Sequence, residues 1–152
     1  MEIERTIRGA KGAFHDLVVP ANAPPILKAF LIAFPDVPEE RYATCIDDVQ
    51  KELKMDYVQS GMMLGGFHPK QEGGGLHNTS FSPFKTALPI LAIRHMHKAD
   101  AVFLHGDPIH IKAYLNEFGE DGYKRMKKLI ETKYAGADCS QRLTELENCK
   151  PL

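Results

Sequence analysis

Two apolar runs, the first bounded by prolines, constrain this chain more than any other feature. Residues 27–34, LKAFLIAF, are apolar at nearly every position and stop at the Pro35-Asp36-Val37-Pro38 segment, while Pro24 and Pro25 precede them. Residues 88–96, LPILAIRHM, repeat the pattern until Arg94 and His95 interrupt it. Runs of this length with proline boundaries are too short for free helices and suit buried strands. A third strand is expected over 57–67, YVQSGMMLGGF, whose glycines mark a close backbone approach. Between and after these runs the period changes to that of a helix. Tyr42, Cys45, Ile46, Val49 and Leu53 fall on one stripe of a helix predicted over 40–54, with Asp47, Asp48, Lys51, Glu52 and Lys54 on the solvent side. Helices are also predicted over 109–118 and 121–135, with Pro108 at a first turn and Gly119 and Gly136 at exits. Residues 1–19 suit a helix or a strand.

These elements make an α/β fold: a small central sheet of 27–34, 57–67 and 88–96 packed by three or more helices. At 152 residues the expectation is a single compact domain over 1–152, with 1–20 and 137–152 peripheral or partly disordered. The 19 basic and 20 acidic side chains nearly cancel, so no net field draws the chain to nucleic acid. No stretch reaches the roughly 20 apolar residues of a membrane span, and the amino terminus has no apolar core of a signal peptide. Cys45, Cys139 and Cys149 are odd in number and widely spaced, which suits reduced thiols in a cytoplasmic protein, with a Cys139–Cys149 disulfide left open. The expected partner is a small-molecule substrate, and a homodimer is compatible with the sequence.

Five of the seven histidines, at 68, 77, 95, 97 and 105, fall in one third of the chain. Imidazole titrates near neutrality and is the commonest metal ligand, so such clustering points to a site. The densest stretch is GGFHPKQEGGGLHN, residues 65–78. His68 stands between Phe67, which anchors the segment, and Pro69, which fixes the backbone, so its ring has little freedom; it acts as ligand or base, or else staples its own loop to a carbonyl. His77 is the second candidate for acid–base chemistry. Arg94 offers a planar fork to a carboxylate, or a structural ion pair with Asp100. His95 and His97 share a face at strand spacing and, with His68 or His77, would complete a zinc or iron site. Met63 and Met96 line an apolar pocket or fill the core; Asn78 and Ser82 offer polar contacts to a substrate. No GxSxG elbow and no phosphate loop is present, which argues against a serine hydrolase or nucleotide hydrolysis.

The segments GMMLGGFHP (61–69), GLHN (75–78) and FSPFKTALPILAIRHM (81–96) resemble a bacterial family of uncharacterised function with the pattern G-x-FHP, LHN and PLLAIRHM. More distantly, the FHP element is similar to one in the YqcI/YcgG-like proteins, some of which are haem-dependent N-hydroxylases. That resemblance implies a haem-dependent oxidation of a small nitrogen-containing metabolite. His68 or His95 would be the iron ligand, Arg94 would face a propionate or substrate carboxylate, and Phe67, Met63 and Met96 would form the apolar wall. Two further readings stay open from the residues alone. One is a cofactor-free enzyme or binding protein for a carboxylate or amino acid, using His68 and His77. The other is a non-haem iron or zinc site on the same histidines.

Overall fold

The computed structural model describes residues 2–71 and 85–151. Among these described residues five helices and a three-stranded sheet form an α/β fold, as the change in apolar period requires. Contacts gather the chain into two units, Met1–Tyr57 with Met63–His95, and Val58–Met62 with Met96–Leu152.

The first unit contains the sheet. Strands β1 (Ala29–Ala33), β2 (Met62–Phe67) and β3 (Ile90–His95) lie in the order β1-β3-β2. β1 and β3 are antiparallel, with Leu31 opposite Ala92 and Ile32 opposite Leu91. Leu91 and Ile93 are fully buried on one face of the sheet, where the ring of Phe14 meets Phe30 edge-on at 5.3 Å and His95 at 5.1 Å. Phe14 is delivered by α1 (Glu2–Asp16), which resolves the helix-or-strand ambiguity at this end. Lys28 Nζ donates to the carbonyls of Phe14 at 2.6 Å and Leu17 at 3.0 Å. A cation thus satisfies acceptors that a helix C-terminus leaves over. The phenol of Tyr57 donates to Ile7 O at 2.7 Å and ties the end of α2 (Asp48–Val58) to α1.

Three boundaries differ from expectation. The run 27–34 is not buried on both faces: β1 is an edge strand of alternating exposure, and Leu31 is 72% exposed. Continuous apolarity marks a strand covered on both sides, but here only the face carrying Phe30 and Ile32 meets a helix. The strand expected from residue 57 begins at Met62, because Tyr57 and Val58 close the last turn of α2. Gly61, at φ 71, turns the chain there, using the left-handed backbone that a helix exit favours and glycine tolerates. The helix expected over 40–54 starts as a 3-10 turn at Glu39–Arg41 and widens into a π turn at Ala43–Asp47 before becoming α2.

The second unit is helical: α3 (Ala101–Leu104), α4 (Pro108–Lys133) and α5 (Gly136–Asn148). Asp107 caps α4 by accepting from the amides of Ile109 and His110, satisfying donors that a helix start leaves over. α4 breaks at Gly119, where φ is 54 and ψ −137, so it consists of two helical segments that meet where the glycine predicts an exit. Tyr114, Leu115, Met126, Ile130 and Leu146 are buried within this unit. α1 and α5 occupy the ends that the sequence leaves peripheral or partly disordered, and Leu146 and Cys149 of the polar tail are buried. None of the three cysteines is joined in a disulfide, Cys139 and Cys149 included. Among the described residues no helix is long and apolar enough to cross a membrane.

Candidate functional site

His68 follows the last residue of β2 and is 5% exposed. Its position against the helix is fixed by two neighbours on the strand. At Gly66 an added Cβ would lie 3.2 Å from Ile46 Cγ2, so the missing side chain lets β2 approach the helix closely. Gln50 Nε2 donates to Leu64 O at 2.8 Å and pins α2 to the same strand. This approach brings Asp47, the last residue of the π turn, onto the imidazole: His68 Nε2 lies 3.2 and 3.3 Å from the two carboxylate oxygens. Tyr42 covers the ring, its centroid 5.0 Å away and its plane tilted by 34°. π turns are rare and recur at functional sites. Here the turn carries the residue that faces the histidine.

A carboxylate only accepts, so Nε2 carries the hydrogen and donates it to Asp47. In the neutral ring Nδ1 then holds the lone pair. Among the described residues that buried nitrogen has no hydrogen-bond partner, and the same is true of Gln71 Oε1, three residues along. Gln71 N donates to His68 O at 3.0 Å, so both atoms belong to one turn. A buried polar atom without a partner costs roughly 1–3 kcal/mol, and native proteins keep few of them. Asp47 is different: its side chain is 42% exposed. The arrangement is a half-solvated carboxylate behind an enclosed imidazole whose outer nitrogen is unused. A ring of this kind can accept a proton or a hydrogen bond, and Asp47 can stabilise the cation that results. Among the described residues the ring bonds a carboxylate and no main-chain carbonyl.

A domain family model described as "Domain of unknown function (DUF6875)" matches residues 1–129. The chain belongs to the DUF6875 family. No curated protein and no solved structure matches it. The DUF6875 match includes the sheet, Asp47 and His68 and most of α4, and ends before α5 begins. Membership agrees with the expectation of a family without an assigned function.

The remaining candidates of this DUF6875 chain are placed as follows. Arg94 is half-buried on β3, opposite Ala29, and its Nη1 donates to His95 O at 2.9 Å. His95 ends β3 and packs on Phe14. His97 lies beyond the strand, so strand alternation does not govern it. Its Nδ1 accepts from Ala99 N and its own amide donates to Asp100 Oδ2 at 2.7 Å, closing a capping box on a 3-10 turn. Met63 is buried in β2, Met96 is buried in the helical unit, and Phe67 is half-buried. His77, Asn78 and Ser82 lie outside the described residues, as do Gly73, Gly74 and Gly75. Among the described residues no group of three or more His, Cys, Asp or Glu side chains is arranged to hold a metal ion.

Asp47, Tyr42 and Gln71 are absent from the sequence-predicted set. Helical spacing puts Asp47 on the solvent side of a regular α-helix, whereas the π turn presents it to His68. The histidine cluster also divides. His105, 7% exposed, belongs to the helical unit. Its Nδ1 lies 3.2 Å from Ala101 O and its Nε2 2.7 Å from the Tyr134 hydroxyl, with Lys133 Nζ at 3.4 Å. Burial pushes the His105 pKa below the usual imidazole value, and the Lys133 charge pushes it further the same way. A neutral ring with Nδ1–H on the carbonyl and Nε2 accepting from the phenol satisfies both ring nitrogens.

Proposed function

We propose that this protein binds or transforms a small molecule with Asp47 and His68 as one acid–base unit. The observation that carries the proposal is the unpartnered Nδ1 of a nearly inaccessible imidazole whose other nitrogen is oriented by a carboxylate. Asp47 fixes the tautomer and stabilises the imidazolium, while Nδ1 takes the proton or hydrogen bond of the ligand. Correct placement of such a base is worth about 10²- to 10⁴-fold in rate. The burial of Nδ1 favours a small ligand over a macromolecule. His77 as a second acid–base group, Asn78 and Ser82 as substrate contacts and Arg94 as the holder of a carboxylate complete the proposal. Thermal-shift screening with amino acids, carboxylates and amines tests it. A ligand that stabilises the wild type should fail to stabilise His68→Gln and stabilise Asp47→Asn less. Equal responses in all three proteins would refute the assignment.

Haem-dependent N-oxygenation, which the resemblance implies, is the lesser reading. The described residues do not fit haem at His68: Asp47 holds Nε2, the nitrogen remote from the backbone. The remaining Nδ1 adjoins the ring carbon that bears Cβ, where a porphyrin plane would meet the main chain. A visible absorption spectrum after haem addition, paired with metal analysis, decides the matter. A Soret band altered by His68→Ala or His95→Ala would put haem first, and stoichiometric zinc or iron would put first a site that draws on His77.

A further inference from the structure

Resting on the acid–base reading of His68, we infer that the ligand at this turn is a cationic hydrogen-bond donor of the primary-amine class. The two unpartnered buried atoms, His68 Nδ1 and Gln71 Oε1, are acceptors in the tautomer that Asp47 imposes and in the amide orientation present. A ligand that relieves both must bring N–H or O–H groups rather than lone pairs. The Asp47 carboxylate behind the imidazole adds a negative charge to the same locus, which favours a cation and repels a carboxylate. The face of the Tyr42 ring lies against the imidazole and is a further surface of negative quadrupole. A primary ammonium carries three N–H groups on one atom, enough to serve both acceptors. Both acceptors are buried and belong to the turn closed by Gln71 N on His68 O, so binding is coupled to movement of residues 68–71.

The test uses two probes of nearly equal size and opposite charge, butylamine and butyrate. Long-range ¹H–¹⁵N spectra of the histidine rings are recorded on the full chain at neutral pH. Butylamine should shift His68 Nδ1 saturably and leave Nε2 protonated, while butyrate should leave both nitrogens unmoved. Gln71→Leu removes one acceptor and should weaken butylamine binding about fivefold, the equivalent of one hydrogen bond. Gln71→Glu restores an acceptor and adds charge, and should bind at least as tightly as the wild type. A saturable response to butyrate, or no response to butylamine, would overturn the ligand class. The spectrum without probe reports separately on the underlying reading: a hydrogen on Nδ1 in place of Nε2 would overturn the dyad itself. The two failures are therefore told apart within one experiment.

Discussion

Two nearly inaccessible histidines, His68 beside the sheet and His105 among the helices, meet the same physical demand in opposite ways. Each ring has lost its water. His105 replaces that water completely, placing Nδ1 near Ala101 O and Nε2 near the Tyr134 hydroxyl. His68 replaces half of it, engaging Asp47 and leaving Nδ1 without a partner. Full satisfaction is how a buried polar group contributes to stability; partial satisfaction costs free energy in the folded chain and leaves reactivity. On the proposed reading one ring serves structure and the other chemistry, although in the sequence both are simply histidines of one cluster.

The most damaging challenge to this contrast is functional. With a ligand found by thermal-shift screening, His68→Gln should reduce binding or turnover by about 10²-fold or more, whereas His105→Gln should change it little. Comparable losses in both would erase the distinction. Stability should respond in the reverse order. His105→Phe strands the Tyr134 hydroxyl, while Ala101 O keeps the bond from the residue-105 amide, and should cost about 1–3 kcal/mol, read as a fall in Tm of roughly 3–10 °C for a chain of this size. His68→Phe trades the Asp47 bond for removal of an unpartnered nitrogen and should leave Tm within a few degrees of the wild type. A protein destabilised as much by His68→Phe as by His105→Phe would show that both rings are structural.

How far the contrast could be read beforehand depends on the range of the signal. The second apolar run was legible because periodicity is local, and Gly119 and Pro108 announced the break and the first turn of α4 through backbone chemistry that any sequence displays. β1 was placed correctly but its burial was not, since whether Leu31 faces a covering layer depends on distant segments. His68 stood out through its rigid neighbours Phe67 and Pro69. Asp47 did not, because it lies 21 residues upstream and faces the ring only through a π turn that no residue pattern signals. The unpartnered Nδ1 is a property of packing, which has no counterpart in the sequence.

A third test separates the roles of the ring partners. Asp47→Asn keeps a hydrogen-bonding group beside Nε2 but removes the charge that stabilises an imidazolium, so ligand binding or rate should fall about tenfold with Tm nearly unchanged. Retention of full activity would reduce Asp47 to a spacer. Its counterpart, Tyr134→Phe, should leave function alone and lower stability by about 1 kcal/mol, because His105 Nε2 would exchange the phenol at 2.7 Å for the longer contact to Lys133 Nζ at 3.4 Å.

The smallest effect is the pH dependence, and it has a definite sign. The folded-state pKa of His105 lies below its ordinary value of 6.5, with burial the first cause and Lys133 the second. Between those two values the unfolded chain binds a proton that the folded chain refuses, so stability falls as pH drops below about 6.5 and levels off once the folded ring also titrates. The contribution is therefore fully present above that pH and lost on the acid side. Denaturant titrations at a series of pH values should show this loss in the wild type, reduced in Lys133→Met and absent in His105→Gln. Ligand occupancy at His68 supplies the matching control: a ligand that shifts this acid limb in the wild type and also in His68→Gln would be acting on the helical unit, and the division of labour between the two rings would fail.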